Sequence, residues 1–108
     1  MSFAERFEQL REEMCEDTPE VTRSQMMGSP CLKVGSKMFC TFSGGHLVAK
    51  LGGADHAAAL ELPGAELFDP GGTGRRMKEW VVIPIGQEAM WDELARAACE
   101  YVREAQRR

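Results

Sequence analysis

The sequence has little of what metal sites and cysteine or histidine catalysis require. It carries two histidines and four cysteines in 108 residues, and none of Cys15, Cys31, Cys40 and Cys99 forms a Cys-x-x-Cys pair. Neither His46 nor His56 stands at ligand spacing from a cysteine or from the other histidine. A structural zinc site draws its ligands from such closely spaced pairs, so no metal and no cofactor are expected. No serine or cysteine nucleophile neighbours either histidine in sequence, and no catalytic residue is assigned. Long apolar runs are missing too: nothing approaches the roughly 18 residues a membrane helix needs. Met1 is followed by an acidic, amphipathic segment and not by a basic, then apolar leader. The expectation is a cytoplasmic protein with free thiols.

Positive charge is also scarce overall, with a formal net charge of −4. A negative field slows approach to nucleic acid and supplies little counterion release, so strong stand-alone DNA binding is disfavoured. The charge is uneven, however. Residues 1–20 are acidic and residues 21–80 are mildly basic.

At 44% hydrophobic, the chain can bury one core, and 1–108 reads as a single domain. Ser2 followed by Glu5 is a capping-box arrangement, and Phe3, Phe7, Leu10 and Met14 then recur on one helical face. Pro19 ends that helix near Asp17-Thr18, because proline disfavours helical geometry in the residue before it.

From Arg23 to Leu51 the period shortens to strands punctuated by glycine. A two-residue turn at Gly35-Ser36 pairs Val34 with Lys37, Leu32 with Phe39 and Cys31 with Cys40; a second at Gly44-Gly45 pairs Phe42 with Leu47 and Cys40 with Ala49. Alternation then gathers Cys31, Met38, Cys40, Phe42, Leu47, Ala49 and Leu51 on a core face, with Lys33 its only charge. The other face mixes Leu32, Val34, Phe39 and Val48 with Lys37, Thr41, Ser43, His46 and Lys50, and is the expected partner surface. Cys31 opposite Cys40 reads as two small buried residues or as a reversible cross-strand disulfide.

Asp55 to Leu60 reads as a short helix, Ala65 to Phe68 as an extended piece, and Asp69 to Gly74 as a loop. Trp80 to Ile85 is a β-prone run whose Pro84 sets its end, or the whole strand, at a sheet edge. A long final helix begins at Gln87, with Met90, Trp91, Leu94, Ala98, Tyr101, Val102 and Ala105 as its buried stripe. The fold class is therefore α+β: an antiparallel, hairpin-built sheet flanked by an N-terminal and a C-terminal helix.

The glycines before Arg75-Arg76 invite an anion, since glycine lets backbone amides close on a phosphate and arginine supplies forked donors; a plain mobile loop is the other reading. With Lys78, these arginines are the candidate anion or nucleic-acid contacts. Met26-Met27, Phe39, Phe42 and Trp80 could fill the core or make an adaptable recognition patch.

Met27-Gly28, Cys31-Leu32-Lys33-Val34, Lys37-Met38-Phe39, Leu47-Val48-Ala49-Lys50-Leu51, Phe68-Asp69-Pro70-Gly71 and Met77-Lys78-Glu79-Trp80-Val81, closed by a helix near Trp91, form an ordered set. That set resembles the TfoX N-terminal-domain family over nearly the whole chain. The resemblance implies the same α+β architecture and a regulatory role, since the family's longer members are positive regulators of natural competence that work with the cyclic-AMP receptor protein at promoters. Those members continue into a C-terminal helical domain, whereas this chain reads as the N-terminal domain by itself.

Together these readings predict a non-enzymatic interaction module with a protein partner, which the resemblance suggests is a transcription regulator. Its contacts would be Phe39, His46, Lys50 and Lys37, or the basic loop Arg75, Arg76 and Lys78. Direct nucleic-acid binding and small-molecule or anion binding are the alternatives. An exposed edge strand allows a symmetric dimer.

Overall fold

The Ser2 hydroxyl accepts from the Glu5 amide at 3.1 Å while the Glu5 carboxylate accepts from the Ser2 amide at 3.0 Å, and this reciprocal cap starts helix α1 (Phe3–Asp17). The coordinates are a computed structural model that describes residues 2–26 and 28–107, so Met27 of the expected recognition patch lies outside the described residues. After α1 come β1 (Val21–Met26), β2 (Ser29–Val34), β3 (Lys37–Ser43), β4 (His46–Lys50), α2 (Gly53–Leu60), β5 (Glu66–Phe68), β6 (Met77–Ile83), a 3-10 segment (Ile85–Met90) and α3 (Trp91–Gln106). The six strands form one antiparallel sheet in the order β1-β2-β3-β4-β6-β5.

Both glycine turns fall where the sequence puts them, with Val34 opposite Lys37 and Ser43 opposite His46. Gly35, Gly44 and Gly45 all take positive φ, which glycine reaches without a Cβ penalty. β6 is interior and not an edge; Pro84 falls just past its last residue, where it removes no ladder donor.

The register between β2 and β3 departs from expectation after two pairs. Lys33 faces Met38, but Leu32 then faces Cys40 and Cys31 faces Thr41, leaving Phe39 as an extra residue in β3. The physical gain is visible in what it moves. An unbroken ladder would bury Lys33, whereas the bulge turns Lys33 and Met38 outward and brings Leu32, Val34, Phe39 and Cys40 into the core together.

Phe39 is fully buried and is no part of an exposed mixed face. Cys31 is not across from Cys40, and alternation sets the two on opposite faces, so the cross-strand disulfide geometry is absent and all four cysteines are free. β4 keeps the expected sides, with Leu47 and Ala49 in the core, and Leu51 just past its end joins them.

All three helices share one side of the sheet. Phe7, Leu10 and Met14 of α1, Ala59 of α2, and Trp91, Leu94, Ala95, Ala98, Cys99 and Val102 of α3 pack with the core-facing strand residues. Trp91 anchors this layer: its indole N–H donates to the Ile83 carbonyl at 3.2 Å, and its ring meets Phe42 edge-on at 6.1 Å. In α3 the buried stripe takes in Ala95 and Cys99, while Tyr101 and Ala105 lie exposed.

Candidate functional site: the helix-free face of the sheet

On the opposite face of the sheet alternation places Met38, Thr41, Ser43, Val48 and Trp80, and among the described residues the groove there is lined by strand and loop residues without a helix residue. Val48 and Cys31 are fully buried there although they stand outside the core cluster. Beside them lies a groove of about 430 Å³ lined by Met26, Ser29, Met38, Thr41, Ser43, Phe68, Pro70, Met77 and Trp80. Its polar groups are few. The Thr41 hydroxyl is already used, donating to the Pro30 carbonyl at 2.9 Å.

The groove draws on both edges of the sheet. β1 and β5 are the two edge strands of six, and in a flat sheet they would lie ~24 Å apart at about 4.8 Å per strand. Met26 from β1 and Phe68 from β5 nonetheless line one cleft. Two registers in this sheet are irregular, at Leu32/Lys33 and at Leu67/Phe68, and bulges of this kind bend a strand and increase its twist.

Positive charge gathers near this groove. The loop of residues 71–76 leaves it at Pro70 and returns at Met77, carrying Arg75 and Arg76 on its way, with Lys78 next along β6. Lys33 shares the face of Met38. Arg6, Arg11, Arg96, Arg103 and Arg107 all pair with carboxylates of the helices or of Glu20. Among the described residues, no ion pair engages Lys33, Arg75, Arg76 or Lys78.

The loop glycines do not hold an open cradle of amides. Asp69 fills it, its carboxylate accepting from the Thr73 amide at 3.2 Å and the Gly74 amide at 2.8 Å. An anion arriving here would meet the arginine side chains and not free backbone donors.

The residues expected to share a partner surface are scattered. His46 accepts the Ile85 amide on Nδ1 at 3.2 Å, which ties β4 to the 3-10 segment. Lys37 and Lys50 line a separate 240 Å³ depression against Tyr101 and Gln106 of α3, and the Lys50 ammonium lies 4.0 Å from Glu79. Of the sequence-level patch, Met26 and Trp80 do reach the groove, while Phe42 packs into the core beside Phe7. Met38, Phe68 and Met77 were not legible as groove residues. Unbroken alternation sets Met38 on the core face and only the bulge turns it outward, and Phe68 and Met77 flank a loop whose path no periodicity reports.

Burial pushes the Cys40 thiol far above its ordinary range and raises that of Cys99, so neither is prepared as a thiolate. Among the described residues no three His, Cys, Asp or Glu side chains gather to hold a metal, and no helix is long and apolar enough to cross a membrane. Comparison with protein-family models, with curated proteins and with solved structures finds no match.

Proposed function

We propose that this protein is a non-enzymatic interaction module that engages a protein partner through the helix-free face of its sheet. One observation carries the reading: three methionines and two aromatics line a single cleft, with Met26 and Met77 exposed by 49% and 42%, away from the core that stabilises the fold. Flexible, polarisable methionine suits a surface that must close around a partner. The TfoX-type resemblance of the sequence supports a regulatory partner, and we take a transcription regulator as the partner class.

Affinity capture at endogenous level tests this. Wild type should recover a defined partner that Met77→Asp and Trp80→Asp lose and that Lys37→Glu retains. Identical recovery by all four proteins removes the reading.

Direct nucleic-acid binding is a second reading, favoured by the position of Arg75, Arg76 and Lys78 beside Trp80 and Phe68, since aromatic faces stack on unpaired bases. It requires a salt-dependent mobility shift with single-stranded DNA or RNA that Arg75→Ala/Arg76→Ala weakens. No shift at low salt ends it.

A further inference from the structure

Resting on that reading, we infer that the groove takes the apolar face of an acidic amphipathic helix supplied by the partner protein. Three features select this occupant. The groove lies over the face of a sheet whose strand amides and carbonyls are engaged in ladders on both sides of β3 and β4, so an extended segment laid across it would find few backbone partners. A helix satisfies its own backbone and needs only side-chain contacts.

The volume agrees. About 430 Å³ is far less than a helix occupies, but it holds a few apolar side chains projecting from one face at i, i+3 or i+4 spacing. Methionines on three different strands, Met26, Met38 and Met77, can repack around whichever chains enter.

Charge sets the sign of the flanks. The basic groups beside the groove, Arg75, Arg76, Lys78 and Lys33, have no carboxylate partner among the described residues, whereas every arginine on α1 and α3 has one. Asp69, the nearest acid in the loop, is spent on the Thr73 and Gly74 amides. Glutamates flanking the apolar face of an incoming helix would complete these cations and orient the helix along the 71–76 loop.

The probe is a fluorescein-labelled synthetic peptide with leucine at helical spacing and glutamate between, read by anisotropy against full-length protein. Two controls accompany it: the same composition scrambled, and lysine in place of glutamate. The inference expects saturable binding of the glutamate peptide, at least about tenfold weaker binding of both controls, and a similar loss in Met77→Asp and in Arg75→Glu/Arg76→Glu. Circular dichroism and urea midpoints verify that each variant is folded.

Equal binding of the helical and scrambled peptides, or of the acidic and basic ones, overturns it. So does displacement by a short fatty acid or a single-stranded oligonucleotide at lower concentration than the peptide, and so does self-association of the protein that Met77→Asp abolishes, which would make a second copy the occupant. If no peptide binds but groove variants still lose the partner in cells, the helix inference fails while the interaction reading stands. Unchanged capture removes both.

Discussion

Met26, on one edge strand of the sheet, and Phe68, on the other, line the same groove. The groove they share sets apart two classes of apolar residue, those that hold the fold and those that serve its open face. Met26→Asp and Met77→Asp, at positions 49% and 42% exposed, should change stability by no more than about 0.5 kcal/mol. Phe39→Ala and Leu47→Ala, both fully buried in the core, should cost about 2–5 kcal/mol. Urea denaturation of the four variants distinguishes these outcomes.

Tyr101 of α3 lies over Gly52, the residue that precedes α2. A Cβ placed on Gly52 would overlap the tyrosine ring, although the backbone there, at φ −142°, accepts any residue. Gly52→Ala therefore fails by contact and not by backbone strain. The exposed ring can swing aside only by giving up its hydroxyl bond to Glu79 at 2.9 Å, so a loss of about 1–2 kcal/mol is expected. In a double-mutant cycle most of that loss should vanish on the Tyr101→Ala background.

Thiol labelling reads the β2–β3 register from outside. Cys15 is half-buried, while Cys31, Cys40 and Cys99 are buried. In the native protein at pH 8, Cys15 should react with Ellman's reagent first and Cys40 last, because burial disfavours the Cys40 thiolate most clearly. Mild oxidation should yield no Cys31–Cys40 crosslink by peptide mass spectrometry.

The N-terminal cap gives a pH dependence of known sign. The Ser2 amide, followed by the Ser2 hydroxyl, holds the Glu5 carboxyl below its ordinary value of 4.5. A carboxyl depressed in the folded state adds stability that is complete above 4.5 and disappears as pH falls through the lowered folded value. Glu5→Gln keeps a side chain that can reach the Ser2 amide but does not titrate. Its stability should therefore fall less steeply than wild type on acidification below 4.5, as followed by thermal melts.

The parts of this fold that were legible in the sequence rest on local chemistry. Ser2 and Glu5 announce a cap, Gly35-Ser36 and Gly44-Gly45 announce reversals, and the apolar spacing of Phe7, Leu10 and Met14 announces a buried helix face. Phe39 was not legible, because a bulge depends on what the rest of the core accepts and carries no residue signature of its own. Lys33 held the one available hint: a lone charge on a predicted core face argues for a slipped register. The groove was only half visible, through Met26 and Trp80, since its other walls arrive from segments distant in sequence and brought together by the fold. Asp69 shows the same limit, as its capture of the loop amides depends on a loop path that composition leaves open.

The methyl groups of methionine test the open face most directly. Met26, Met38 and Met77 line the groove, Met14 is sealed in the core, and Met90 packs partly buried against that core. Titrating carbon-13 methyl-labelled protein with the captured partner should move the resonances of Met26, Met38 and Met77 and leave Met14 in place. Movement at Met14 or Met90 with the three groove methyls silent would put the binding surface on the helical side and contradict the account.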